Sequence, residues 1–284
     1  MKKILTIIST AFILLSCEPN LNYEIHGYSQ KIIVEGYISN DQYAQVYLSL
    51  NVPVWQTVDS ATILDNVIRT AKVSISDGET TEVLTSSWDK QHFPPYVYKG
   101  TEIKGKEGKT YYLTVEYSGY TLSATTTLPA SSTIESFAYI PTDNDSLKQL
   151  VINLNVNSNE KKSFRVYTKK TKDGFYTETP VIFNEDLKLS GPQSFVLNPN
   201  PKSTDPSYNE GHYFLTGDTV FVKLCTLDSI STQFFKELSV FSSTSGLGEN
   251  VFVGEKEKLN SNISEPGFGI WYGTGIKTYR IVIQ

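Results

Sequence analysis

Cysteine is nearly missing from this chain, with only Cys17 and Cys225 among 284 residues. If Cys17 is consumed by the N-terminal chemistry argued below, no intramolecular disulfide can form. The folded part must then rest on its own apolar cores, even in an envelope compartment that permits disulfides. Histidine is equally sparse. His26, His92 and His212 lie far apart, without a neighbouring cysteine pair or His-x₃-His spacing, so nothing points to a zinc site with its several converging ligands. Basic residues are outnumbered, 25 against 30 acids, and the lysines are scattered. Nucleic-acid binding, which needs a basic stripe, is not expected. No apolar run reaches the roughly 20 residues that a membrane-spanning helix requires. There is no G-x-S-x-G elbow, and no carboxylate pair stands out for glycosidase chemistry.

Two motifs fall short on spacing. Asp143-Asn144-Asp145 opens like a calcium loop, but the later Gly and Glu are missing at their offsets; a solvated turn is expected. Gly267-Phe268-Gly269 and Gly273-Thr274-Gly275 suggest a phosphate loop, yet the third glycine of G-x-G-x-x-G would fall at Tyr272. No helical pattern follows to supply an N-terminus for phosphate. These glycines are expected in tight turns or bulges. Cys225, inside the strand-like run Thr219–Leu227, reads as a small buried hydrophobe rather than a catalytic thiol.

The first residues are the most informative. Lys2 and Lys3 precede an apolar run, Ile4–Leu15, that ends at Leu14-Leu15-Ser16-Cys17. The run is too short to span a bilayer but fits the apolar segment of an export signal. The last four residues resemble a lipobox, in which the cysteine thiol accepts a diacylglyceryl group and becomes the new N-terminus. Residues 1–16 are therefore expected to be a cleaved lipoprotein signal, with Cys17 lipidated. One acyl chain binds membranes marginally, whereas two or three hold almost permanently. Glu18 offers no obvious inner-membrane retention signal, so the outer membrane is the expected address, on either its periplasmic or its cell-surface face.

Residues 17–29 read as a polar tether. From Gln30 the pattern turns to period two, through Ile32–Ile38, Val46–Leu50, Val73–Ile75, Tyr111–Tyr117 and Tyr120–Ala124. Asp77-Gly78 and Ser118-Gly119 mark hairpin turns, and Leu128-Pro129 stops the series. Short strands over about 100 residues predict an immunoglobulin-like β-sandwich over 30–129. A second series starts at Ile134 and includes Leu150–Val156, Phe164–Val166, Val220–Leu224 and Tyr279–Ile283. It predicts a second β-rich domain, sandwich or barrel, over 134–284, joined near Ala130–Thr133. One short helix is expected at Ser231–Phe241, where Phe234, Leu238 and Phe241 share a helical face. It would plug one end of a core. Asn198–Gly211, with three prolines, reads as a long functional or mobile loop. The whole is an all-β protein.

One aromatic cluster has a case for binding. Trp55, Trp88, His92, Phe93 and Tyr96 fall in the Pro-containing connections of the first domain. Aromatic loops on a rigid sandwich form many binding surfaces; capping the sandwich's open end is the more ordinary role for the same residues.

Several stretches taken in order resemble one family. They are Cys17-Glu18, Lys31–Asp41, Val73–Glu79, Gly105–Val115, Ala124–Phe137, Gly217–Leu224 and Asn250–Gly273, the last carrying GFGIWYG. The chain is similar to the Bacteroidota lipoproteins of domain-of-unknown-function family 4249. The resemblance implies an outer-membrane lipoprotein, commonly encoded beside a TonB-dependent receptor, and supplies no catalytic residues. The expectation is a non-enzymatic, membrane-anchored binding or accessory protein to such a transporter, without a cofactor. Its partners would be the membrane, through Cys17, and the receptor. The competing readings are an envelope hydrolase and a structural or adhesive surface protein.

Overall fold

In a computed structural model of the chain, the described residues are 29–53, 56, 59–89, 92–156, 162–173, 176–182, 191–199, 213–244 and 259–284. Cys17, the signal, the tether up to residue 28, His26, Trp55, His212 and the loop beyond Pro199 lie outside them. The strands are β1 Ile32–Ser39, β2 Tyr43–Leu50, β3 Lys72–Ser76, β4 Thr81–Val83, β5 Thr85–Trp88, β6 Tyr96–Lys104, β7 Thr110–Tyr117 and β8 Tyr120–Thr127. They continue with β9 Ile134–Pro141, β10 Leu147–Val156, β11 Ser163–Lys170, β12 Thr177–Ile182, β13 Gly191–Leu197, β14 Phe214–Leu215, β15 Thr219–Leu227 and β16 Phe268–Val282. Among the described residues two helices accompany them, α1 Ser60–Asp65 and α2 Ser229–Thr244. The protein is all-β, as its alternating pattern indicates; α1, capped by Asp59 accepting the Thr62 N–H at 2.8 Å, is too short to leave a periodic signature.

The strands build three sheets. The largest has the order β12-β11-β15-β16-β1-β2-β6-β5, and the smaller ones are β4-β3-β7-β8 and β13-β10-β14, with β9 also on β10. The β4-β3-β7-β8 sheet packs on the large sheet around a first core that includes Val34, Val46, Val73, Tyr111, Leu113, Leu122 and Trp271. The sheet containing β10 packs on its other half around a second core that includes Leu150, Ile152, Phe164, Val166, Phe214, Val222 and Leu224. Residues 130–133 connect β8, in the sheet over the first core, to β9, in the sheet over the second. The cores nevertheless share a sheet, and Lys31–Gln284 forms one compact unit.

The shared member is β16. Its first half pairs in parallel with β1, from Ile33↔Phe268 to Ser39↔Thr274. Its second half pairs antiparallel with β15, from Leu227↔Thr274 to Thr219↔Val282. The partner changes at Thr274. Asparagines hold the strand on both sides of this point. Asn262 brackets Trp271, accepting its N–H at 2.9 Å and donating to its carbonyl at 2.7 Å. Asn40 brackets Ile276, accepting its N–H at 2.6 Å and donating to its carbonyl at 3.2 Å.

This strand corrects the reading of its glycines as turn or bulge residues. Gly269, Gly273 and Gly275 lie within β16. A Cβ on Gly269 would sit 1.9 Å from the Val34 carbonyl oxygen, at φ +127°, and one on Gly273 would sit 2.6 Å from Leu128 Cα. At Gly269 the positive φ would aim a side chain into its ladder partner Val34, and at Gly273 and Gly275 the backbone of Leu128 and Ser131 approaches too closely for a Cβ.

The turns and the helix show where local patterns hold and where they shift. Ser118-Gly119 is a two-residue turn with both φ positive (50° and 83°), closing β7 onto β8 at Tyr117↔Tyr120. Asp77-Gly78 instead belongs to a four-residue connection, because Ser76 pairs with Thr81. Asp77 Oδ1 accepts the N–H groups of Glu79 and Thr80 there, at 3.1 and 2.8 Å. In α2, Asp228 caps the start by accepting the Ser231 N–H at 2.8 Å. The helix buries Ser231, Phe234 and Phe235, while Leu238 is exposed. The packed face is thus rotated from the Phe234–Leu238 stripe, because Phe235 meets Tyr272 edge-on at 5.2 Å.

Candidate functional site

Alternation gives the large sheet two faces. One face supplies both cores. The other collects side chains from the opposite positions: Tyr37 of β1, Tyr47 of β2, Arg165 and Tyr167 of β11, Lys223 and Cys225 of β15, and Tyr272 of β16. These line a cavity of about 230 Å³, together with His92 and Tyr176. An adjoining cavity of about 500 Å³ extends it past Lys169 on one side and Lys99 and Trp88 on the other. The two ends of the sheet therefore contribute to one cleft.

The cleft is aromatic and charged together. Tyr37 and Tyr272 stand 5.9 Å apart at 38°, and His92 stacks on Tyr47 at 3.8 Å. Arg165 forms a two-point ion pair with Glu178, Nε to Oε1 at 2.5 Å and Nη2 to Oε2 at 3.0 Å, and lies 4.0 Å over the ring of Phe235. Lys223 lies 4.0 Å over Tyr176 and 5.6 Å over Tyr167; Lys169 lies 5.7 Å over Tyr176.

Burial dominates the titration of these groups. It pushes the Tyr37 phenol up to about 12 and raises those of Tyr47, Tyr167 and Tyr272 as well; Asp89 adds to the effect at Tyr47. For Arg165, burial opposes the charge, yet the Glu178 pair outweighs it and the guanidinium is held more firmly protonated than usual. Lys223 is lowered, first by burial and also by Lys169. Burial pushes the Cys225 thiol up to about 11. At neutral pH it is a protonated, unreactive group, the small-hydrophobe role expected of it.

The aromatic cluster named from the sequence is divided by the fold. His92 lines both cavities. Trp88 lies at the rim of the larger one, 57% exposed, with its ring edge-on to Tyr96 at 5.0 Å. Tyr96 in turn carries Arg69 over its other contacts, 4.4 Å from the ring centre. Phe93 is exposed and lines neither cavity. The principal cleft residues, Tyr37, Tyr47, Arg165, Tyr167, Tyr176, Lys223 and Tyr272, form no motif in the sequence. Their available signal was aromatic or basic residues on the non-core positions of strands. Among the described residues, no group of three or more His, Cys, Asp or Glu is placed to hold a metal ion. Asp143–Asp145 forms part of the β9–β10 turn, where Asn144 Oδ1 accepts the Ser146 N–H at 2.9 Å.

A family profile described as "Domain of unknown function (DUF4249)" matches residues 17–280. No curated protein matches the chain.

Proposed function

We propose, from the premise that this chain belongs to the DUF4249 family, that it works by binding. In this reading it is a Bacteroidota lipoprotein, held at the outer membrane through acyl chains on Cys17. It takes a ligand into the tyrosine-lined cleft and serves as an accessory to a TonB-dependent transporter. The observation that carries the reading is the cleft itself. It is a concave, largely aromatic surface with a few polar groups on a rigid sheet, the usual composition of a ligand site. Arg165 is already engaged by Glu178 and the Cys225 thiol is held protonated, so neither is poised as a nucleophile or base. The lipid address rests on the lipobox-like Leu14–Cys17.

The test is affinity capture of the full-length protein from native membranes, beside Cys17→Ala. The intact protein is expected to retain a TonB-dependent receptor and to show acyl groups on Cys17 by mass spectrometry, whereas the variant leaves the membrane fraction. An unmodified N-terminus elsewhere would remove the lipoprotein claim. Substrate turnover abolished by a single cleft substitution would replace binding with hydrolysis.

A further inference from the structure

We infer that the cleft takes a small ring-bearing anion, with its acid group at Lys223 and Lys169 and its ring among the tyrosines. This deepens the binding reading above and rests on it.

The charge of the cleft gives the first argument. Of its cations, Arg165 is saturated by the two-point pair with Glu178. Among the described residues, the contacts of Lys223 and Lys169 are ring faces, Tyr176 and Tyr167 for the one and Tyr176 for the other. Among the described residues neither ammonium has a carboxylate within ion-pair distance. Lys223 is half-buried, and burial first, with the nearby charge of Lys169 adding to it, favours its uncharged form. A half-buried cation without a counter-charge is an unfavourable arrangement that an incoming anion relieves. Among the described residues, the acids of the cleft are Glu178, which is paired with Arg165, Asp89, which adjoins the Tyr47 phenol, and the exposed Glu35, which lines the smaller cavity without forming an ion pair to either lysine.

The second argument is shape and surface. The cavity near Lys223 is about 230 Å³ and opens into one of about 500 Å³, space for one or two rings rather than an extended polymer. Its walls are ring faces and phenol groups. Such walls suit a flat body that stacks and hydrogen-bonds at its edge. An open-chain acid would offer no ring to the tyrosine faces, and a neutral ring would leave the lysines without a counter-ion.

The test is isothermal titration of the full-length lipidated protein in detergent, using matched probes. The acids are 4-hydroxybenzoate, phenyl phosphate and glucuronate; their neutral counterparts are 4-hydroxybenzamide, phenol and methyl glucoside. At least one acid should bind ten-fold or more tightly than its counterpart. Lys223→Gln and, separately, Lys169→Gln should each remove most of that preference while leaving the melting temperature within a few degrees of wild type. Lys169→Gln, on the more open side of the cleft, keeps the test decisive if Lys223→Gln fails to fold. The preferred acid tells an aromatic source from a sugar, and a carboxylate from a phosphate. Equal binding of acids and neutral counterparts, binding by none of the six, or an acid preference that survives both substitutions would overturn the inference. Those results would leave receptor capture untouched, and loss of receptor capture with a retained acid preference would count against the transporter role alone.

Discussion

Val222 and Lys223 are neighbours on β15, yet they belong to different problems. Val222 is fully buried in the second core, whereas Lys223 lies over tyrosine rings in the cleft. The same division runs through β11, where Val166 faces the core and Tyr167 the cleft, and through β16, where Trp271 faces the core and Tyr272 the cleft. The core face is apolar and closely packed, its occupants chosen for volume. The cleft face holds charges and phenols whose hydrogen-bonding capacity is only partly used. Because a strand's side chains alternate with period two, one stretch of sequence can satisfy both demands without compromise between them.

This contrast can be broken most sharply at Trp271. The side chain is fully buried, donates from Nε1 to the Tyr111 carbonyl at 3.2 Å, and lies over Gly36, where an added Cβ would come within 2.9 Å of its ring. Trp271→Ala should cost about 3–5 kcal/mol, seen as a large drop in denaturant midpoint. A loss below about 1 kcal/mol would mean that the core face is not the close-packed one. Gly269→Ala tests the close pairing of β16 with β1. Its positive φ and the approach to Val34 should together cost at least about 1–3 kcal/mol, measured in the same way; a neutral result would remove the reason given for glycine there.

The cleft face is tested by alkali. An unfolded tyrosine titrates near 10, and the native cleft raises Tyr37 to about 12 and raises Tyr47, Tyr167 and Tyr272 as well. The folded state therefore holds these protons more tightly than the unfolded state. Their contribution to stability is intact below about pH 10 and is lost as pH rises toward 12. Absorbance at 295 nm should show the exposed tyrosines ionising first and the cleft group ionising later, together with loss of circular dichroism. Complete ionisation near pH 10 with the fold intact would show that the cleft is wet and its phenols free. The smallest effect belongs to Trp88→Ala. With Trp88 mostly exposed and resting edge-on against Tyr96, the loss should not exceed about 1.5 kcal/mol. A melting change as large as that for Trp271→Ala would make it a core cap instead of a rim residue.

The fold was legible wherever pairing is local and one face is dry. Ile32, Val34 and Ile38 mark β1 by alternation alone, and Ser118-Gly119 announces its own hairpin. Phe268–Val282 was legible only at its end. Its first half is interrupted by glycines, and the reason for them, the backbone of Val34, Leu128 and Ser131, lies far away in sequence. Pairing between β1 and β16 leaves no local trace, so the sharing of one sheet by two cores could not be read from alternation. The cleft was legible in part, through His92. Its tyrosines occupy ordinary outward positions on separate strands, and only the three-dimensional meeting of β1, β2, β11, β15 and β16 makes them a group.

The late position of β16 has a consequence for how the molecule is made. Asn40 hydrogen-bonds to Ile276 across 236 positions, so the neighbour of one of the earliest strands is synthesised among the last. The β1–β2 hairpin can close early, but the other edge of β1 must wait while the rest of the chain emerges. An open strand edge invites pairing with the wrong chain, and such distant contacts slow folding. Until β16 pairs with it, this edge is the part of the large sheet most open to mispairing. When β16 finally arrives, it completes the first core through its opening half and the second through its closing half, so the two should be secured in a single late event and unfold together.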